Sequence, residues 1–148
     1  MHTVKIYMDN CCFNRVLDDR SQPTIYFDRN SVMIILELVE KGVYDLYGSQ
    51  VLAREIHNTH DVVKKSRLEL MYTLCSSEIE VTEKIVERAI EIRENSNIRT
   101  NDSLHLACAE SVNADVFLTV DKKFLNNAKR LPARIKVMSP TEWLMEVI

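Results

Sequence analysis

Two glycines and three prolines in 148 residues leave this chain few places at which to turn sharply. Together they make up about 3% of it, where roughly 12% is ordinary. Tight hairpins need Gly, Asn or Pro at special backbone angles, so a turn-rich all-β sandwich is disfavoured. Neither GxGxxG nor GxxxxGK[ST] occurs, which excludes both glycine-built phosphate cradles. Phosphate chemistry on this chain would have to rest on carboxylates and a cation.

The remaining composition is that of an ordinary globular chain, 46% hydrophobic and 28% charged. At this size a single core buries about two-thirds of the unfolded surface, and one domain over residues 1–148 is expected. The net charge of −3 is mild, whereas a general nucleic-acid coat is basic. No apolar run approaches the ~20 residues of a membrane helix. The N-terminus MHTVKIYMDN lacks a signal peptide's apolar stretch. A cytoplasmic protein with no membrane role is expected. Cys11 and Cys12 are adjacent, Cys75 and Cys108 stand apart, and no CxxC occurs. Reduced, buried thiols fit this better than a zinc knuckle or a redox motif.

Strand-like and helix-like segments alternate. Val4 to Met8 is a short apolar, β-branched strand. Asp28 to Lys41 carries Val32, Ile35, Leu36 and Val39 on one helical face, which serves either the core or a dimer surface. Gly42 follows as a C-terminal cap. Val43 to Tyr47 is a second strand ended by Gly48. Ser49 and Asp61 can cap helices running to about Asn58 and Cys75. Ile79 and Val81 suggest a brief strand. Thr82 opens a helix with Ile85, Val86, Ala89 and Ile90 on its apolar face. Asn101 to Val112 is helical, Asp115 to Val120 a strand, Lys122 to Lys129 a short helix, and Ile135 to Met138 a last strand. Ser139-Pro140 starts a final helix. This alternation predicts an α/β domain with a central, mainly parallel sheet.

In an open parallel sheet, ligands bind beyond the carboxyl ends of the strands. Asp9 closes the first strand and Asp121 follows the late one. Asp102 lies in the first turn of a helix, whose positive end favours an anion. Glu55 lies in the helix after the second strand. Converging carboxylates repel, and their pKa values rise unless a cation neutralises them. Hard oxygen ligands suit Mg²⁺ or Mn²⁺. Such an ion acidifies water and stabilises phosphoryl oxygens, which is the chemistry of phosphodiester hydrolysis. Each acid also has a plainer role: Asp102 and Asp121 as helix caps, Glu55 as a solvated helix residue. Asp115 starts its strand, at the opposite rim, and is set aside.

Four segments resemble the PIN-domain family, which includes small stand-alone bacterial ribonucleases and VapC-like toxins. They are Ile6 to Asn10 with Asp9, Ser49 to Ile56 with Glu55, Ile98 to Ala107 with Asp102, and Ala114 to Phe124 with its Thr119-Val-Asp121 ending. Order, spacing and length fit over essentially the whole chain. The resemblance implies a three-layer α/β/α sandwich and a metal-dependent endoribonuclease using Mg²⁺ or Mn²⁺. It implies that Asp9, Glu55 and Asp102 hold the metal, with Asp121 as fourth acid and Thr119 and Asn10 as auxiliaries. It further implies an RNA substrate, a homodimer, and an antitoxin partner if the protein is the toxin of a toxin–antitoxin pair. One departure stands out. Many members carry Asn, Ser or Thr two residues after the first Asp, and this chain has Cys11. That feature sustains an alternative, a non-catalytic PIN-like module binding RNA or protein.

Arg15 and Arg54 lie close in sequence to Asp9 and Glu55, where they contact phosphate or hold the acids. Lys122 and Lys123 open a stretch that continues with Lys129, Arg130, Arg134 and Lys136 and contains no acid, suited either to steering RNA or to solvation. His57 and His60 lack a third soft ligand nearby. His105, one turn after Asp102, either bonds that carboxylate or fills a half-buried helix face. A receiver domain needs an acidic pair after the first strand, and a haloacid-dehalogenase-like phosphatase needs D-x-D; Asp9-Asn10-Cys11 supplies neither.

Overall fold

The computed structural model describes residues 2–18, 21–131 and 134–148. Five strands form one sheet: β1 (Lys5–Met8), β2 (Asp45–Ser49), β3 (Ser77–Ile79), β4 (Val116–Leu118) and β5 (Lys136–Met138). Their order is β3-β2-β1-β4-β5, and every pairing is parallel. The chain builds outward from β1 on one side, then returns to its other side with β4. The order therefore reverses between β1 and β4, and a crevice opens there beyond the strand ends.

Among the described residues, eight helices cover the sheet: α1 (Asn10–Arg15), α2 (Pro23–Glu40), α3 (Gln50–His57), α4 (Val62–Tyr72), α5 (Glu83–Glu94), α6 (Thr100–Ser111), α7 (Lys122–Ala128) and α8 (Pro140–Val147). Side chains alternate along each strand, so the core divides in two. Ile6, Met8, Val116 and Leu118 pack with residues of α1, α2, α3, α4 and α8. Tyr7 and Phe117 point the other way, among residues of α5, α6 and α7. The result is a three-layer α/β/α sandwich. Among the described residues no helix is long and apolar enough to cross a membrane.

Capping explains most of the helix starts. Ser49, Asp61, Thr82, Asp121 and Ser139 each accept a backbone N–H of the first turn they precede. Gly42 has φ +79°. Its N–H bonds Val39 O and that of Val43 bonds Leu38 O, a Schellman ending for α2.

Several boundaries differ from expectation. α1 was not foreseen: the chain turns into a helix directly after Asp9, so Asn10 does not extend the strand. α2 starts at Pro23 rather than Asp28, because its first turns expose Tyr26 and Phe27 and break the apolar period. Val32, Ile35, Leu36 and Val39 are buried in the chain's own core, which removes them as a dimer surface. On α5, Ile85 and Ala89 are buried but Val86 and Ile90 face out, and Ile92 completes the inner face. Pro132 lies outside the described residues.

Gly48 does not end its strand but sits within β2. A Cβ built there would lie 2.5 Å from the Tyr72 hydroxyl. That hydroxyl reaches Glu78 Oε1 at 2.6 Å and Ser49 O at 3.2 Å, tying α4 to two strands. Gly48→Ala should cost about 1–3 kcal/mol through overpacking. In urea denaturation, adding Tyr72→Ala should then cost less than Tyr72→Ala alone, because the clash partner is gone.

Candidate active site

The register Met8↔Leu118 places the ends of β1 and β4 side by side. Asp9 follows Met8 as the N-cap of α1, 4% exposed, with its N–H on Leu118 O. Its side chain makes no capping bond. Cys11 instead donates its thiol to Asp9 Oδ1 at 2.6 Å. Cys11 Sγ also lies 3.3 Å from Thr119 Oγ1 and accepts the Val120 N–H. Cys11 thus bridges Asp9 and Thr119, the place a polar side chain would take. Thr119 is fully buried, and its hydroxyl accepts the Asp121 N–H at 3.1 Å.

Asp102 and Asp121 meet through Arg99. Its guanidinium lies 2.8 Å from Asp121 Oδ2 and 3.5 Å from Asp102 Oδ2, and its side chain is 68% exposed. Asp121 also caps α7 through the N–H groups of Lys123 and Phe124. Asp102 does not cap its helix; α6 begins two residues earlier, with Arg99 in the cap position.

Glu55 is not a solvated residue. Its Oε1 is bound by His105 Nε2, and His105 is 1% exposed. The Tyr7 hydroxyl lies 2.6 Å from His105 Nδ1 and 2.7 Å from Ser49 Oγ, which accepts the Leu52 N–H. One assignment satisfies every atom. Nε2–H donates to Glu55, Tyr7 O–H donates to Nδ1, and Ser49 O–H donates to Tyr7. His105 was expected to bond Asp102 or fill a half-buried face; it spans to α3 instead, because α6 turns it inward. Tyr7, the residue missed by sequence reasoning, lies one position before Met8 on the strand that ends at Asp9. Its apolar surroundings gave no signal of a polar role.

The electrostatics join these groups into one site. Burial drives the Asp9 carboxyl well above its ordinary range, the adjacent Cys11 adds to this, and His105 opposes it. The thiol of Cys12 donates toward Cys11 and, against desolvation, brings Cys11 down to about 6. Burial also raises Asp102, which Arg99 and His105 counter, while Asp121 and Glu55 add to the rise. An added cation would relieve all of this, so the donor set fits a hard divalent ion in charge and chemistry. Asp102 lies within electrostatic reach of Asp121 and Glu55, and Asp9 within reach of His105, which holds Glu55. Among the described residues, the group whose ligand atoms all lie within 4.8 Å is Asp9, Cys11 and Cys12.

The other expected residues are more dispersed. Asn10 is half-buried, and its Oδ1 has no hydrogen-bond partner. Arg15 pairs with Asp18 at 3.4 Å. Arg54 is exposed and lines a recess with Glu55. Lys122 and Lys123 are exposed at the start of α7, with Lys123 beside Arg99, Asp102 and Asp121 in a narrow cleft. His57 and His60 are exposed.

With this geometry in hand, the family model described as "PIN domain" matches residues 6–130. The chain belongs to the PIN domain family. No curated protein sequence matches it. Solved structures do. The VapBC2 structure from Rickettsia felis, bound to a DNA fragment from their promoter, is similar at 21% identity and TM-score 0.60, over 89% of this chain and 96% of that one. A toxin–antitoxin complex from Klebsiella pneumoniae matches at 17% and 0.61, over 91% and 97%. VapBC-1 from nontypeable Haemophilus influenzae matches at 16% and 0.61, over 93% and 99%. At these identities the likeness is one of fold, and it shows the PIN-like sandwich.

Asp9 carries a testable cost. Its folded carboxyl lies above the unfolded value near 3.9, so ionising it disfavours the folded state at neutral pH. That penalty is full above the folded pKa and vanishes as pH falls toward about 4. Asp9→Asn should therefore stabilise the protein at pH 7, seen as a rise in Tm. The gain should fade on acidification in parallel melting curves.

Proposed function

We propose that the chain is a divalent-cation-dependent endoribonuclease in which Asp9, Glu55, Asp102 and Asp121 hold Mg²⁺ or Mn²⁺. The reading is supported chiefly by the position of Asp9 directly after β1 in a PIN-domain chain, with Asp102 joined to Asp121 through Arg99 and Glu55 held by His105. When bound, the cation supplies an acidified water and positive charge for the phosphoryl oxygens. The protein's own residues do the rest. Asp9, buried between Cys11 and Thr119, is the fixed anion at the floor of the crevice. His105 locks the rotamer of Glu55. Asp121 is fixed by two backbone N–H groups of α7 and so needs no reorganisation. Arg99, exposed at the rim, can exchange its two carboxylates for a phosphate of the RNA backbone. Arg15, Arg54, Lys122 and Lys123 serve this reading as further phosphate contacts around the site, with Asn10 and Thr119 as auxiliaries. Product release leaves the carboxylates unchanged, since none attacks covalently.

The toxin role belongs to this reading. The structural neighbours are toxin–antitoxin and VapBC assemblies, and an antitoxin protein is the partner they suggest for this chain. Homodimerisation is part of the same proposal. Cys11 favours the second reading, a catalytically inert PIN-like module. Purified protein incubated with RNA and Mn²⁺ separates the two. Cleavage should fall by at least about 100-fold in both Asp9→Asn and Asp102→Asn. Cleavage that survives both substitutions overturns the assigned site. An inert module would show no Mn²⁺-dependent rise in Tm.

A further inference from the structure

We propose that Asp9, Cys11 and Cys12 form a binding site for a thiophilic divalent cation of the Zn²⁺ class, overlapping the hard-cation site at Asp9. The Asp9 carboxylate and the two sulfurs all lie within 4.8 Å of one another. A tetrahedral ion with bonds of about 2.0–2.3 Å spaces its ligands roughly 3.5–4 Å apart, so the three atoms need little adjustment. The Asp9–Cys11 separation of 2.6 Å opens rather than closes on binding. Thr119 Oγ1, 3.3 Å from Cys11 Sγ, stands where a fourth oxygen ligand or its water would sit.

The chemistry favours sulfur-seeking ions over Mg²⁺. Two sulfur ligands suit a soft or borderline ion, whereas Mg²⁺ takes oxygen ligands and keeps several waters, for which the fully buried Cys12 leaves no place. The two thiols lie on consecutive residues of one helix, held by β1 behind them and by Leu118 O, which accepts the Cys12 thiol at 3.3 Å. Binding replaces the S–H bond of each thiol still protonated, that of Cys12 above all, by a metal–sulfur bond and releases its proton to solvent. With carboxylate and thiolates together carrying three negative charges, the bound site has a net charge of −1 and no redox partner is required. Neither Cys75 nor Cys108 has such a neighbour among the described residues. Because Asp9 serves both ions, occupancy by one excludes the other. Only this competition rests on the nuclease reading; the sulfur site itself does not.

Titrating Cd²⁺ into the purified protein tests the proposal without RNA. Thiolate-to-cadmium absorption in the near ultraviolet should rise and saturate at one ion per chain. Cys11→Ser should weaken binding at least about tenfold and diminish the band, whereas Cys75→Ser and Cys108→Ser should leave it intact. Cys12→Ala should also diminish it. If that buried substitution unfolds the protein in melting curves, the half-buried Cys11 carries the test alone. Zn²⁺ should displace protein-bound Mn²⁺, read by electron paramagnetic resonance. Absence of the band, or a band undiminished in Cys11→Ser, overturns the site. Failure of the nuclease reading looks different: no cleavage with Mn²⁺, with the cadmium band still present.

Discussion

Parallel pairing of β1 with β4, in the register that sets Tyr7 opposite Phe117 and Met8 opposite Leu118, governs everything at the carboxyl rim. It brings Asp9 under the backbone of Leu118 and sets Cys11 against Thr119. Thr119 in turn fixes the turn into α7 through the Asp121 N–H. A slip of one residue would invert every side chain on β4. Phe117 would leave its stack on Tyr7, and the acid after the strand would leave the crevice. The two half-cores pin this register from both faces, so packing energy and site geometry are enforced by the same residues.

The polar network behind Glu55 has a similar double duty. Tyr7, Ser49 and His105 are buried polar groups in an otherwise apolar layer, and each is tolerable only because the others satisfy it. On the α2 side a shorter chain, Ser31 to Thr141 to Asp28, joins α2 to α8. The fold concentrates its desolvated polar groups along a line from Ser49 to Glu55 and isolates Asp9 beside Cys11. Arg99 meanwhile gives Asp102 and Asp121 a positive partner.

Much of this was legible in the residues. Strand and helix order, the caps at Ser49, Asp61, Thr82 and Ser139, and the rim positions of Asp9 and Asp121 all follow from local chemistry that acts within a few residues. α1 was not legible, since six residues are too few to show a period and its cap makes no side-chain bond. Gly48 read as a terminator because the approach of Tyr72 comes from a helix twenty-odd residues later. His105 read either as a partner for Asp102, its neighbour one turn away, or as filler of a half-buried helix face; the actual partner, Glu55, is set by how α6 packs on α3. Long-range packing is the information that pattern alone does not carry. The presence of Cys11 was plain in the sequence. That its sulfur lies against Asp9 and Cys12 at ligand distance required the turn into α1.

The strand order also dictates when the site can exist. No two adjacent strands are joined by a hairpin. Ile6 finds its first partner at Leu46 and its second only at Val116. Non-local parallel pairing closes large loops before it gains contacts, and chains fold from their N-terminus as they are made. A ribosome-bound chain that has emerged through α5 has Asp9 and Glu55 but neither Asp102 nor Asp121, and the crevice has only one wall. The carboxylate rim is therefore among the last features to assemble during synthesis. A product truncated before α6 carries at most two of the four acids.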